Sequence, residues 1–132
     1  MSGSLRKIVV DTNVFFMAFT NPIGKAGRVI EAANNGKVEL ISTDSVKEEL
    51  SRVFKRELKM IDSEILFVID SLPVKWFNKE DYIFAIDSAK VKHEPDKPIE
   101  ALSLVFNCDI LSADSDFKNR LDINALLDEL NE

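Results

Sequence analysis

The sequence predicts an α/β fold with a mostly parallel central sheet. Short apolar segments alternate with longer segments that have helical spacing, which is typical of consecutive βαβ units. The first apolar segment, residues 8–10, contains only β-branched residues, as expected for a strand that is buried on both faces. The length of 132 residues fits one domain with one core, so we assign residues 1–6 to an N-terminal tail and residues 7–132 to a single domain.

The elements are predicted in chain order from apolar runs and from start and stop signals. Four apolar runs predict strands at 8–10, 38–41, 74–77 and 109–113. Helical spacing predicts helices at 25–35, 44–60, 62–72, 79–90 and 98–107. Gly24 precedes the first of these helices, Thr43 or Asp44 caps the second, and Pro73 ends the third. A short strand near Ile123 and a last helix complete the prediction.

Composition excludes several classes of site. No apolar run has the length of a transmembrane helix, and no signal segment opens the chain. Cys108 is the only cysteine, which rules out an intrachain disulfide and a thiolate zinc site and makes a reducing cytoplasm the expected location. The net charge of −6 argues against a polyanionic partner. If five acids occupied one metal-loaded pocket, however, 18 acids would balance the 17 basic residues.

Several carboxylates fall where strands end or helices begin. Asp11 directly follows the first strand, and Asp114 and Asp116 follow the strand at 109–113. Asp96 stands before Pro98 and the helix at 98–107, where it is also a natural N-cap. Ligands of open α/β sheets bind at the carboxyl ends of the strands, so we expect these acids near one edge. As an alternative, Asp11 is only a turn residue that caps the next helix.

Glu49 and its basic neighbours are placed by the helical wheel of residues 44–60. Glu49 borders the apolar stripe of this helix, and a basic ridge runs beside it. The ridge is either a solvated face or a surface that contacts RNA phosphates. Glu49 is either directed toward the sheet edge or paired with a basic residue at i,i+3. The ridge comprises Arg52, Lys55, Arg56 and Lys59.

Acids that converge on one cleft require a counter-charge. Without one, the carboxylates raise each other's pKa and destabilise the fold. Mg²⁺ and Mn²⁺ prefer such oxygen ligands, and these ions activate water and stabilise charge on a phosphoryl oxygen. The residues therefore indicate metal-assisted phosphodiester hydrolysis, although composition alone does not fix the substrate.

Four blocks of the sequence resemble, in order and spacing, the signature blocks of PIN-domain ribonucleases. The blocks are "IVVDTNVFF", "TDSVKEELSRVF", "PDKPIEALSL" and "DILSADSDF". The resemblance spans about residues 7 to 118 and includes the toxins of toxin–antitoxin pairs. It implies a three-layer α/β/α sandwich, with Mg²⁺ or Mn²⁺ at the carboxyl edge of the sheet and RNA cleavage that leaves 5′-phosphate and 3′-hydroxyl ends.

The resemblance also implies roles for individual residues. Asn13 and Ser112 match polar supporting positions, although threonine is common at the second. Glu100 stands where the family usually has an apolar residue, so Glu100 either joins the acidic pocket or faces solvent. The matched catalytic and metal-binding acids are Asp11, Glu49, Asp96 and Asp114, with Asp116 as a fifth metal-binding acid.

The sequence therefore predicts a metal-dependent endoribonuclease, with the role of a toxin implied by the resemblance. The alternative is a catalytically silent PIN-like module that binds RNA or protein. A phosphotransfer receiver or a phosphatase is less consistent, because no acid ends the run 74–77. The expected partners are RNA, an antitoxin protein and a second copy of the chain, with no membrane. The apolar runs 14–19 and 64–72 are either core or the surfaces for such protein partners.

Overall fold

Five parallel strands form the central sheet. A computed structural model describes residues 5–113 and 116–131. The strands are β1 (Lys7–Val10), β2 (Glu39–Thr43), β3 (Val74–Phe77), β4 (Ile110–Leu111) and β5 (Arg120–Leu121). Their order is β3-β2-β1-β4-β5, and each neighbouring pair is parallel. The predicted parallel sheet is confirmed.

Helices cover the sheet and complete a three-layer α/β/α sandwich. The α-helices are α1 (Thr12–Thr20), α2 (Lys25–Asn34), α3 (Asp44–Leu58), α4 (Asp62–Ser71), α5 (Lys97–Phe106) and α6 (Ile123–Glu129). Three short 3₁₀ helices lie at Lys79–Asp81, Ile83–Ser88 and Glu94–Asp96. Helix α1 packs against α2 and α3, whereas α5 packs against β1, β2 and β4. Within the described part of the chain, no helix combines the length and the apolar character that a membrane span requires.

The central strand β1 forms the middle of the core. Ile8, Val9 and Val10 have no exposed surface, so both faces of the strand are covered, as the unbroken apolar run predicts. Helix α3 begins where the Thr43 hydroxyl accepts the Val46 N–H at 3.1 Å, which is the predicted cap. These two features fix the direction in which the chain leaves β1 and β2.

Strand order creates a switch point beside β1. The chain runs from β1 through β2 to β3 on one side and then returns to form β4 and β5 on the other side. In such a sheet, a crevice opens at the carboxyl ends of the two strands where the direction reverses. Asp11 follows β1 and Ser112 follows β4, so both residues lie at this crevice.

One predicted element is wrong. Residues 79–90 do not form one α-helix but two 3₁₀ helices, at Lys79–Asp81 and Ile83–Ser88. The short strand predicted near Ile123 and the last helix are confirmed as β5 and α6, with the strand ending at Leu121 and the helix beginning at Ile123. The apolar run 14–19, to which the sequence assigned no element, lies within α1.

The start of the 79–90 segment is attached to α3. The Asp44 carboxylate accepts the Lys79 N–H at 3.1 Å and the hydroxyl of Tyr82. Lys79 is the first residue of its helix, where the N–H has no partner within the helix. Asp44, at the start of α3, therefore holds this end of the segment in place.

The large apolar side chains of α4 lie partly in the core and partly at the surface. Ile65 and Ile69 are 6% and 3% exposed, whereas Leu66 and Phe67 are 58% and 75% exposed. One face of α4 therefore belongs to the core, and the opposite face presents large apolar side chains to the surface.

Candidate active site

A cavity of about 510 Å³ lies at the carboxyl end of β1. Three of the four predicted catalytic acids line it, namely Asp11, Glu49 and Asp96, and Asn13 lines it as well. These residues come from the end of β1, from α1, from α3 and from the start of α5. The fold thus brings distant parts of the chain to one crevice. Asp114, the fourth predicted acid, lies outside the described residues.

Asp11 is held by its neighbours on both carboxylate oxygens. Its Oδ1 accepts the Thr12 N–H at 2.7 Å, and its Oδ2 accepts the Ser112 hydroxyl at 2.9 Å. Asp11 is the N-cap of α1 and is 9% exposed. The capping role and the position at the cavity therefore coexist. The contact with Ser112 joins the ends of β1 and β4, and it gives the Asp11 side chain a fixed orientation.

Glu49 lines the cavity, and its carboxylate pairs with the guanidinium group of Arg52. Its Oε2 accepts a hydrogen bond from Arg52 Nη2 at 2.7 Å, and its side chain is 44% exposed. The structure thus confirms the alternative interpretation of Glu49, in which it pairs with a basic residue at i,i+3. Such partly exposed pairs contribute only about 0–1 kcal/mol, so the cost of turning Glu49 toward another cation is small.

Asp96 stands between two cavities. It ends the 3₁₀ helix Glu94–Asp96 and occupies the N-cap position of α5, where its side chain makes no capping hydrogen bond. The Asp96 N–H donates to the His93 carbonyl at 3.0 Å. Both residues also line a second cavity of about 580 Å³, together with Asp116. Asp116 therefore lines the adjoining cavity together with Asp96 and does not line the first.

The chemistry of the donors fits a hard divalent cation. Three carboxylates, Asp11, Glu49 and Asp96, line the first cavity, and Mg²⁺ and Mn²⁺ prefer oxygen ligands. Across residues 5–113 and 116–131, no group of three histidine, cysteine, aspartate or glutamate side chains lies close enough to hold a metal ion. Glu49 must leave Arg52 to complete a set with Asp11 and Asp96.

Glu100 has neither of the roles that the sequence suggested. It is 8% exposed, so it does not face solvent, and it does not line either cavity. Its carboxylate accepts the N–H groups of Lys90 and Val91 at 2.7 and 3.1 Å. Glu100 thus fastens the segment that precedes His93 to α5.

The basic ridge of α3 is largely neutralised. The described side chains pair with acids at 2.7 to 3.1 Å. Lys59 lies beyond the end of α3, at a left-handed C-cap with φ of 54°, so it does not continue the ridge. The pairs are Arg52–Glu49, Lys55–Asp62 and Arg56–Glu57.

Sequence reasoning missed His93 as a member of the site. His93 is exposed and lines both cavities, whereas none of the four sequence blocks includes it. The available signal was its position three residues before Asp96, within one turn of a predicted helix start. Ser45 also lines the first cavity. It lies in the first turn of α3, directly after the predicted cap residues Thr43 and Asp44.

A family model described as PIN domain matches residues 9–124 of the chain. The match covers most of the chain and includes Asp11, Glu49, Asp96, Asp114 and Asp116. No match to the chain was found among curated proteins.

Proposed function

Because the chain belongs to the PIN-domain family, we propose that it is a Mg²⁺- or Mn²⁺-dependent endoribonuclease. Membership of the family indicates a nuclease-type function, and the metal requirement and the RNA substrate are the finer parts of the proposal. One observation carries it: Asp11, Glu49 and Asp96 line one cavity at the switch point of the sheet. Ligands of open α/β sheets bind at this place.

Each residue of the cavity has a proposed task. A bound Mg²⁺ or Mn²⁺ supplies activation of water and stabilisation of charge on the phosphoryl oxygens. Asp11, oriented by Ser112, and Asp96 would hold the ion, and Glu49 would join them after leaving Arg52. Asp114 and Asp116 are proposed as the remaining acids, and Asn13 as a polar support.

In the proposed hydrolysis, the oxygen of a water molecule forms a bond to phosphorus. The bond between phosphorus and the 3′ oxygen breaks, one proton leaves the water, and one proton reaches the departing oxygen. The products have 5′-phosphate and 3′-hydroxyl ends. The carboxylates of Asp11, Glu49 and Asp96 line the cavity, and one of them would accept the proton that the water releases.

The test is cleavage of single-stranded RNA with Mn²⁺ by the wild-type chain and by Asp11→Asn. We expect the substitution to lower kcat/KM by at least about 100-fold, because losing only a supporting partner of a metal ligand already costs about 10- to 100-fold. Asp70→Asn is the matched control, since Asp70 is an exposed acid of α4 far from the cavity lining. Equal cleavage by Asp11→Asn and Asp70→Asn would contradict the proposal.

A silent module is the second candidate, and the pairing of Glu49 with Arg52 favours it. In that case the carboxylates of the cavity serve only structure, and the chain binds RNA or protein without turnover. Mn²⁺-dependent cleavage that each acid substitution abolishes would exclude this candidate. Binding of RNA without any cleavage across Mg²⁺ and Mn²⁺ would support it.

We also propose that the chain is the toxin of a toxin–antitoxin pair, located in the cytoplasm. The exposed Leu66 and Phe67 of α4 support a protein partner, either an antitoxin or a second copy in a homodimer. Expression in a bacterial host should arrest growth, and Asp11→Asn should relieve the arrest. A host that grows equally with both chains would count against the toxin role.

A further inference from the structure

The cations that face the substrate are better sought outside α3. The described ridge residues of α3 are each paired with an acid, so their charge is already compensated at short range. Phosphates bind where basic side chains are available to replace counterions. While these pairs are intact, the ridge offers little excess positive charge, and Arg52 would be released where Glu49 joins the ion.

A second set of cations adjoins the site. Lys90, Lys92 and His93 line the cavity of about 580 Å³ that shares His93 and Asp96 with the first cavity. Lys90 and Lys92 are exposed, and neither makes an ion pair with any residue of 5–113 or 116–131. We call residues 90–93 the basic segment.

We propose that the sugar–phosphate backbone of single-stranded RNA crosses the basic segment as it enters or leaves the carboxylate cavity. This inference rests on the proposed ribonuclease function and identifies where that function binds its substrate. Lys90 and Lys92 contact the phosphates that flank the scissile bond, and His93 stands between these lysines and Asp96.

The charges of the second cavity are arranged for this path. Asp96 and Asp116 also line it, and carboxylates repel phosphate unless a cation lies between them. Asp96 lies where the two cavities adjoin, since it lines both of them. The lysines therefore provide the favourable surface for neighbouring phosphates, while the acids keep the cation at the point of cleavage.

The basic segment is fixed in position by the fold. Glu100 is buried and accepts the N–H groups of Lys90 and Val91, and the Val91 side chain is 9% exposed. At the other end, the His93 carbonyl accepts the Asp96 N–H at 3.0 Å. The backbone of the basic segment is thus attached at both ends, so the positions from which its side chains extend are set before RNA binds.

The experiment compares two double variants of the full chain. Lys90→Gln with Lys92→Gln removes the two lysines of the basic segment, and Lys55→Gln with Arg56→Gln removes two equally exposed cations of α3. RNA binding is measured by fluorescence anisotropy in EDTA across a salt series, so that affinity is read without cleavage. All four side chains are exposed, and glutamine keeps a polar, flexible side chain without the charge, so both variants should fold.

We expect the first variant to bind RNA about 5- to 10-fold more weakly and to flatten the log–log salt slope by about 1.4, because each phosphate contact contributes about 0.7 for single strands. The α3 variant should keep the wild-type slope. A flattened slope in the α3 variant with none in the basic-segment variant would overturn the inference. The absence of RNA binding by the wild-type chain would overturn it too.

Cleavage assays separate this inference from the proposed function. Binding that depends on the basic segment, without any Mn²⁺-dependent cleavage, means that the nuclease proposal fails while the RNA path stands. Mn²⁺-dependent cleavage with an unchanged KM in the basic-segment variant means that the path is wrong while the nuclease proposal stands.

Discussion

Replacing Glu100 by alanine tests how firmly the basic segment is attached. The carboxylate accepts two backbone N–H groups, from Lys90 and Val91, in a site where Glu100 is 8% exposed. Hydrogen bonds to a charged group contribute about 1.5–3 kcal/mol each. The Lys90 N–H can be hydrated after the substitution because Lys90 is exposed, whereas the Val91 N–H stays dry. We therefore expect Glu100→Ala to lower the free energy of unfolding by about 2–4 kcal/mol.

Urea unfolding measures this loss as a lower midpoint with an unchanged m value. For a chain of this size, the melting temperature should fall by roughly 3 °C per kcal/mol. Glu94→Ala is the control, because Glu94 is 79% exposed and pairs with Lys97 at the surface, which contributes at most about 1 kcal/mol. If Glu100→Ala is as stable as Glu94→Ala, the attachment of the segment by Glu100 is refuted.

Glu100→Gln adds a functional readout to the same position. Glutamine keeps one acceptor oxygen, so the loss of stability should be roughly 1–2 kcal/mol. With the segment loosened, we expect KM for RNA to rise while kcat at saturating RNA stays near the wild-type value. A purely structural role would instead lower the amount of active protein and leave KM unchanged.

Three further predictions concern Tyr82, Ser112 and the metal. Burial, followed by the hydrogen bond to Asp44, raises the pKa of the Tyr82 phenol above its ordinary value, so part of the stability is present below about pH 10 and lost as the pH rises. Tyr82→Phe should be about 1.5–3 kcal/mol less stable at pH 7 by urea unfolding and should lack this alkaline loss. Ser112→Ala removes a hydrogen bond to Asp11 and should weaken Mn²⁺ binding about 10-fold or more by calorimetry, whereas Ser112→Thr should retain it. Mn²⁺ at 100 times its Kd should stabilise the wild-type chain by about 2.7 kcal/mol in thermal unfolding, and Asp11→Asn should abolish most of this gain.

Each of these predictions has a contradicting outcome. An alkaline stability profile of Tyr82→Phe that parallels the wild-type profile would show that the phenol proton does not matter for stability. Equal Mn²⁺ affinity of the alanine and threonine variants at Ser112 would show that its hydroxyl does not orient Asp11. An undiminished Mn²⁺ stabilisation of Asp11→Asn would place the ion elsewhere.

The sequence was most informative where local pattern and burial agree. Residues 8–10 form an unbroken β-branched run, and the structure buries all three in the central strand. A buried charge directly after such a run needs hydrogen-bond partners, and Asp11 has them at the sheet edge, where it is 9% exposed and hydrogen-bonded to Thr12 and Ser112. Pro98 and the helical run after it located Asp96 at the start of α5.

The sequence was least informative where contacts join distant parts of the chain. The contacts of Lys79 and Tyr82 with Asp44 link residues that lie far apart in the chain. The role of Glu100 depends on backbone N–H groups of the preceding loop, and these carry no side-chain signal. The ion pair between Lys55 of α3 and Asp62 of α4 joins two helices, so the helical wheel of α3 alone could not reveal it.

The central claim is that acids from distant parts of the chain share one divalent ion. Titration of Mn²⁺ followed by the loss of its free-ion paramagnetic resonance signal measures this directly, without reference to activity. We predict that Asp11→Asn, Glu49→Gln and Asp96→Asn each weaken Mn²⁺ binding by at least about 10-fold, while Asp70→Asn binds as the wild type does. Wild-type affinity in all three cavity variants would contradict the account.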